Sequence, residues 1–110
     1  MSHAAAAASF PDPVPVPSSL DAWRAQMLAA GFDEVLEREW APHTVVGTHT
    51  HPFDAEAVVV RGEMWLTVAG QTRHLGPGGR FSLPRETPHA ERYGASGAAY
   101  WVARRSASRA

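Results

Sequence analysis

Apolar and polar positions change their period once along this chain. Between residues 18 and 31, Leu20, Trp23 and Met27 recur at helical spacing with Leu28 beside them. Ser18-Ser19 offers an N-cap, Asp21 puts a carboxylate in the first turn where the helix dipole favours it, and Gly31 supplies a stop. One short amphipathic helix ending near Ala30 is predicted, with Trp23 and Met27 packed against the outside of a sheet. From Glu34 onward the pattern is one of short strands, over 34–41, 44–48, 57–61, 63–68, 71–75, 80–83, 89–93 and 98–104. Pro42, Pro52, Gly62, Ala69-Gly70, the Gly76 to Gly79 run, Pro84 to Pro88 and Gly94 to Gly97 separate them. About eight short strands at intervals of roughly ten residues describe an antiparallel all-β sandwich or barrel. The interior of such a barrel is just large enough for a small ligand.

Residues 1–17 lie ahead of this pattern. Pro11, Pro13, Pro15 and Pro17 alternate, which favours extended polyproline geometry and forbids a helix. A poorly ordered tail is the expectation there, in preference to a strand laid on a sheet edge or reaching a neighbouring subunit. The organisation that follows is a tail over 1–17, a helix over 18–31 and one barrel over 34–105.

Composition narrows the chemistry. A chain of 110 residues makes one domain, and folding at this size buries roughly two-thirds of the unfolded surface. The absence of cysteine excludes disulfides, thiolate metal sites and Cys nucleophiles. The absence of lysine removes Schiff-base and Walker-type chemistry. Net charge is −1, and the arginines are scattered singly apart from Arg104-Arg105, so no basic stripe points to nucleic acid. No apolar run approaches a bilayer's thickness, and Met1-Ser2-His3 followed by five alanines lacks the basic start and apolar centre of a secretory signal. A cytoplasmic protein without a membrane partner is expected.

The densest cluster of metal-competent side chains lies in Gly47-Thr48-His49-Thr50-His51-Pro52-Phe53-Asp54-Ala55-Glu56. On an extended strand His49 and His51 share one face, because side chains alternate with period 2. Two imidazoles on one face clamp a divalent first-row metal such as iron, manganese, zinc, nickel or copper. A third ligand has to come from elsewhere, and His89 qualifies. It begins a late strand after the turn Pro84-Arg85-Glu86-Thr87-Pro88, and a jelly roll lays strands distant in sequence side by side. Glu91 and Tyr93 share the face of His89 at i+2 and i+4, where Glu91 is suited to act as a general base or to hold a histidine tautomer. His3 falls in the tail, while His43 and His74 show no partner in the sequence. Trp40, Trp65, Tyr100 and Trp101 read as core or subunit contacts.

With these residues in place the chain resembles the cupin superfamily, small jelly-roll barrels that carry two motifs. His49-Thr50-His51 matches the histidine pair of the first motif, and Gly62 its closing glycine. Gly78, Pro84 and His89 match the second motif in order and spacing. The resemblance runs over roughly residues 35 to 104. It implies a double-stranded β-helix, or jelly-roll, barrel with one metal held by His49, His51 and His89, a small-molecule ligand at the mouth, and a homodimer. The tail, the helix or Trp101 would contribute to the dimer contact. Counting forward from His51 puts the first motif's glutamate on Glu56, whereas counting back from Gly62 puts it on Ala55. Only a bulged strand reconciles the two counts, since one residue of slip turns a side chain to the other face. Asp54 is no better a ligand. The second motif's inner glycine falls on Glu86 and its asparagine on Tyr93. Family members include dioxygenases, isomerases and decarboxylases. The resemblance therefore implies a metal-dependent enzyme of that kind, with a non-catalytic ligand- or metal-binding sensor, or a barrel serving dimerisation, as the alternatives.

Overall fold

A computed structural model of the chain describes residues 7 to 106. Its elements are one helix, α1 (Leu20–Ala29), and six strands, β1 (Glu34–Trp40), β2 (Val45–His49), β3 (Asp54–Val68), β4 (Gln71–Leu75), β5 (Arg80–Leu83) and β6 (His89–Arg105). The fold is an all-β antiparallel jelly roll with a single short helix. Among the described residues, no helix is long and apolar enough to cross a membrane.

Two long bent strands organise the rest. β3 and β6 run antiparallel along their whole length, from Asp54 opposite Arg105 to Val68 opposite His89. Their halves belong to two layers. β1 joins the C-terminal half of β6 and β5 joins the N-terminal half of β3; β2 joins the start of β6 and β4 the end of β3. Where eight strands were expected, six are present, because Gly62 and the Gly94 to Gly97 segment bend strands without ending them. The β3–β6 register slips between Val59 and Arg61 and again between Gly62 and Met64, which marks bulges at the bend. Gly62 has φ +77°, and a Cβ there would stand 2.1 Å from the Gly97 carbonyl oxygen. Only glycine lets the two backbones cross so closely.

The two layers enclose one core, and a second lies between the first layer and α1. Ala57, Val59, Met64, Leu66, Phe81, Tyr93, Tyr100 and Val102 fill the barrel. On the outer face of the first layer, Val35, Val58, Trp101 and Ala103 receive Trp23 and Met27 of α1. The helix therefore packs outside the sheet, as its stripe predicts. Ser19 caps it, its hydroxyl accepting from the Ala22 N–H at 3.0 Å. Trp101 lies under this helix with its ring 6.2 Å from Trp23 and its indole N–H donated to Glu37, so it is not on offer to a subunit contact.

The proline-rich stretch departs from the expected poorly ordered tail wherever it is described. Ser9 exchanges both backbone hydrogen bonds with Ser82 of β5, and the Val14 N–H donates to Gly78 at 3.0 Å. Proline lacks the donor for a continuous ladder, so the chain is pinned through its non-proline residues alone. Arg80 adds a bond to the Asp12 carbonyl. Residues 1–6, including His3, lie outside the described residues.

Candidate metal centre

His49 is the last residue of β2 and the direct cross-strand partner of His89, the first of β6. That pairing brings together residues forty positions apart, with ring centroids 4.3 Å from each other. β2 ends at His49, so His51 is not on the strand that the spacing predicts. It is held by other means. Its carbonyl accepts the Glu86 N–H at 2.7 Å, which ties it to the turn before β6, and its ring stacks on Phe53 at 4.8 Å. The His51 ring stands 4.8 Å from His49 and 5.2 Å from His89. One nitrogen from each imidazole lies within 4.8 Å of the other two.

Two of the rings have a defined proton. Nδ1 of His49 lies 2.7 Å from the Gly47 carbonyl and Nδ1 of His89 lies 2.8 Å from that of Thr87. A carbonyl only accepts, so each Nδ1 donates and the Nε2 of a neutral ring keeps its lone pair. Both Nε2 atoms face Glu91, whose Oε2 is 3.6 Å from His49 and 3.5 Å from His89. Glu91 is buried, and the Tyr93 hydroxyl donates to its other oxygen. With the rings neutral, their Nε2 lone pairs and the carboxylate oxygen form a cluster of acceptors that a cation, whether a proton on His89 or a metal, stabilises. The donor set fits a borderline divalent metal, and imidazole and carboxylate suit several first-row ions.

The electrostatics divide these groups. Burial would raise the Glu91 carboxyl, but its bonds to His89 and Tyr93 and the charges of His89 and His49 bring it below the ordinary value. Burial pulls His89 down, yet Glu91 and the Thr87 carbonyl hold its charged form and leave it above the ordinary value. His51 is lowered, by burial first and then by the other two imidazoles. Burial, with Tyr100 and Glu91 close by, drives the Tyr93 phenol far up, and burial pushes Tyr100 up to about 12. Tyr93 therefore remains a donor to Glu91 at any ordinary pH.

The remaining residues singled out by the sequence lie elsewhere. Ala55 faces the pocket beside the imidazoles, whereas Glu56 lies on the outer face of β3 with Phe32 and Ser82. The count back from Gly62 thus identifies the pocket-facing position, which carries no carboxylate. Asp54 accepts from the Arg85 backbone N–H at 2.8 Å and from the side chains of Arg85 and Arg105. His74 does have a partner, Glu63, 2.6 Å away on β3. His43 occupies a turn at φ 60°.

A small pocket, partly open to solvent, leads to the imidazoles. Besides His51, His89 and Glu91, its walls include Arg38, Phe53, Phe81, Tyr100 and Arg104. Arg38, Phe53 and Arg104 were not picked out from the sequence. The signal for two of them was the period-2 alternation of β1 and β6, which sends Leu36, Arg38 and Trp40, and Tyr100, Val102 and Arg104, inward.

Comparison with known proteins bears on this arrangement. The family profile described as Cupin domain matches residues 36–103. Among solved structures, an RmlC-like cupin from Shewanella frigidimarina superposes with a TM-score of 0.57 at 20% identity, covering 64% of this chain and 63% of that one. The polyketide cyclase RemF from Streptomyces resistomycificus gives 0.58 at 27% identity, covering 73% and 60%. The DMSP lyase DddQ from Ruegeria pomeroyi gives 0.56 at 26% identity, covering 64% and 36%. The chain thus spans less than two-thirds of each of these proteins. No curated protein sequence matches it.

Proposed function

The chain belongs to the cupin domain family, and on that premise we propose that it holds one divalent first-row metal between His49, His51 and His89 and binds a small molecule in the pocket beside it. The observation that carries this reading is the convergence of three imidazole nitrogens within 4.8 Å, two of them on rings whose other nitrogen is tied to a backbone carbonyl. That arrangement sets tautomer and ring direction before any ligand arrives, as metal-bound histidines require. The metal, when bound, supplies a Lewis acid and orients the small molecule. Glu91, ionised and buried, turns Oε2 toward His49 and His89 while Tyr93 steadies Oε1. Phe53 keeps the His51 ring in place.

Such a constellation supports a metal-dependent enzyme of the dioxygenase or isomerase kind. Two of the structural neighbours bear the names of small-molecule enzymes, a polyketide cyclase and a DMSP lyase. A homodimer is part of the same reading.

The test is elemental analysis of protein purified without chelator. Close to one equivalent of a first-row metal is expected in the wild type, falling below about a tenth of that in His49→Ala or His89→Ala, since each removes a primary ligand. Full occupancy in both variants would reject the site. Metal-dependent turnover of small acids and phenols, or oxygen consumption, then separates an enzyme from a non-catalytic metal-binding sensor.

A further inference from the structure

Two guanidinium groups line the pocket, Arg38 on β1 and Arg104 on β6. Their surroundings are short of negative charge. Glu91 is the one carboxylate lining the pocket among the described residues, and its oxygens are engaged by Tyr93 on one side and by His49 and His89 on the other. Arg38 sits 5.0 Å over the Trp40 ring, and Arg104 sits 4.4 Å over Phe53. The ion pair of Arg104 is long, Nη1 to Glu34 at 3.6 Å, and Glu34 is largely exposed. Its Nε–H is buried and meets no acceptor. Arg24 and Arg61 instead close ion pairs of 2.8 and 3.1 Å with Asp21 and Glu39, while Arg85 and Arg105 share Asp54. A donor left unpaired where water cannot reach it is costly. The guanidinium fork is matched in shape and charge by a carboxylate.

Apart from these arginines, the imidazoles, Glu91 and Tyr100, the lining is apolar, with Phe53, Ala55, Phe81, Leu83 and Val102. We propose that the pocket takes a small carboxylic acid with a short apolar or aromatic body. Its carboxylate is held by Arg104, with Arg38 adding positive charge to the same pocket, its body lies against Phe53 and Phe81, and its far end is presented to the imidazole cluster. This assignment names the substrate class of the site proposed above and rests on that reading for the role of the metal. The recognition of the acid itself depends only on the arginines. As an acid docks, the guanidinium of Arg104 exchanges its long contact with exposed Glu34 for the carboxylate of the acid.

The experiment is calorimetric titration with benzoate, phenylacetate and butanoate, each beside its neutral amide. It is run on the protein as isolated and again after metal has been stripped by chelator. At least one acid should bind about tenfold or more tightly than its amide, the difference expected of a charge-assisted contact. Arg104→Gln should abolish that preference while leaving metal content unchanged, and Arg38→Gln should weaken it, serving also as the independent variant if Arg104→Gln does not fold. If no acid outperforms its amide, or if both variants retain the wild-type preference, the assignment is overturned. An arginine-dependent preference in protein that never holds metal would uphold the acid pocket and remove the metal reading, so the two stand or fall separately.

Discussion

Ala55 and Glu56 are adjacent in sequence and lie on opposite faces of β3, which determines what each can do. Ala55 is buried beside the imidazoles, and Glu56 looks outward toward Phe32. Glu56→Ala should therefore leave metal occupancy unchanged within the scatter of elemental analysis; a large loss would mean the strand is turned over. Asp54 faces the same way as Glu56 and does structural work. Burial acts to raise its carboxyl, but the side chain and backbone N–H of Arg85 and the side chain of Arg105 outweigh that and hold it below its ordinary 3.8. A depressed carboxyl contributes stability that is present above pH 3.8 and is lost as pH falls through the lower folded-state value. Asp54→Asn should thus cost about 1.5–3 kcal/mol at pH 7 in a denaturant melt, the range for hydrogen bonds to charged groups. The gap to wild type should close below pH 3.8. A gap that persisted unchanged at pH 2 would show that the charge is irrelevant.

At the scale of elements, the crossing of β3 and β6 is the part of the fold least tolerant of change. Gly62 needs a positive φ and has the Gly97 carbonyl 2.1 Å from where a Cβ would stand. Gly70, in the turn between β3 and β4, also has positive φ but nothing within 4 Å. The pair separates crowding from backbone preference. Gly62→Ala should destabilise by about 3 kcal/mol or more, strain and overpacking together, whereas Gly70→Ala should cost only about 1–2 kcal/mol for the left-handed backbone. Equal melting shifts in the two variants would disprove the close approach. The same crossing explains why the sequence was legible in parts. The ranges 71–75 and 80–83 appear as β4 and β5 without adjustment, because true turns bound them. The glycines at 62 and 94–97 read as turn formers by local chemistry, and only the partner strand makes them bulges. His51 shows the same limit in the site. Its spacing from His49 promised one strand face, but the ring reaches the cluster from beyond the end of β2, steered by Glu86 and Phe53.

The whole molecule has one covered outer face and one bare one. α1 closes the first layer through Trp23 and Met27. Over the second layer, no described element covers Val45, Thr48, Trp65, Thr67 and Arg92; Val45 is 72% exposed, and Arg92 lies 4.0 Å over Trp65. An apolar and aromatic face with an arginine across it has the makeup of a subunit contact. Light scattering should accordingly give a mass near twice 11.9 kDa, and Val45→Glu should shift it toward the monomer. A wild-type monomer would remove the dimer from the proposed function.

Local chemistry sufficed for much of this protein. The switch from helical to strand pattern and the turn formers pointed to an antiparallel all-β sandwich or barrel with a helix on its outside, and His49, His51 and His89 were named from ligand type, spacing and the resemblance to the cupins. Those properties reside in a residue and its near neighbours, so they can be read along the chain. The tertiary structure decided which strands bend and which end, which of Ala55 and Glu56 faces the pocket, that Glu91 supplies the carboxylate beside the imidazoles, and that Arg38 and Arg104 line the same pocket. Each of these depends on the register between segments far apart along the chain, and register is settled only when both faces of a sheet find their partners.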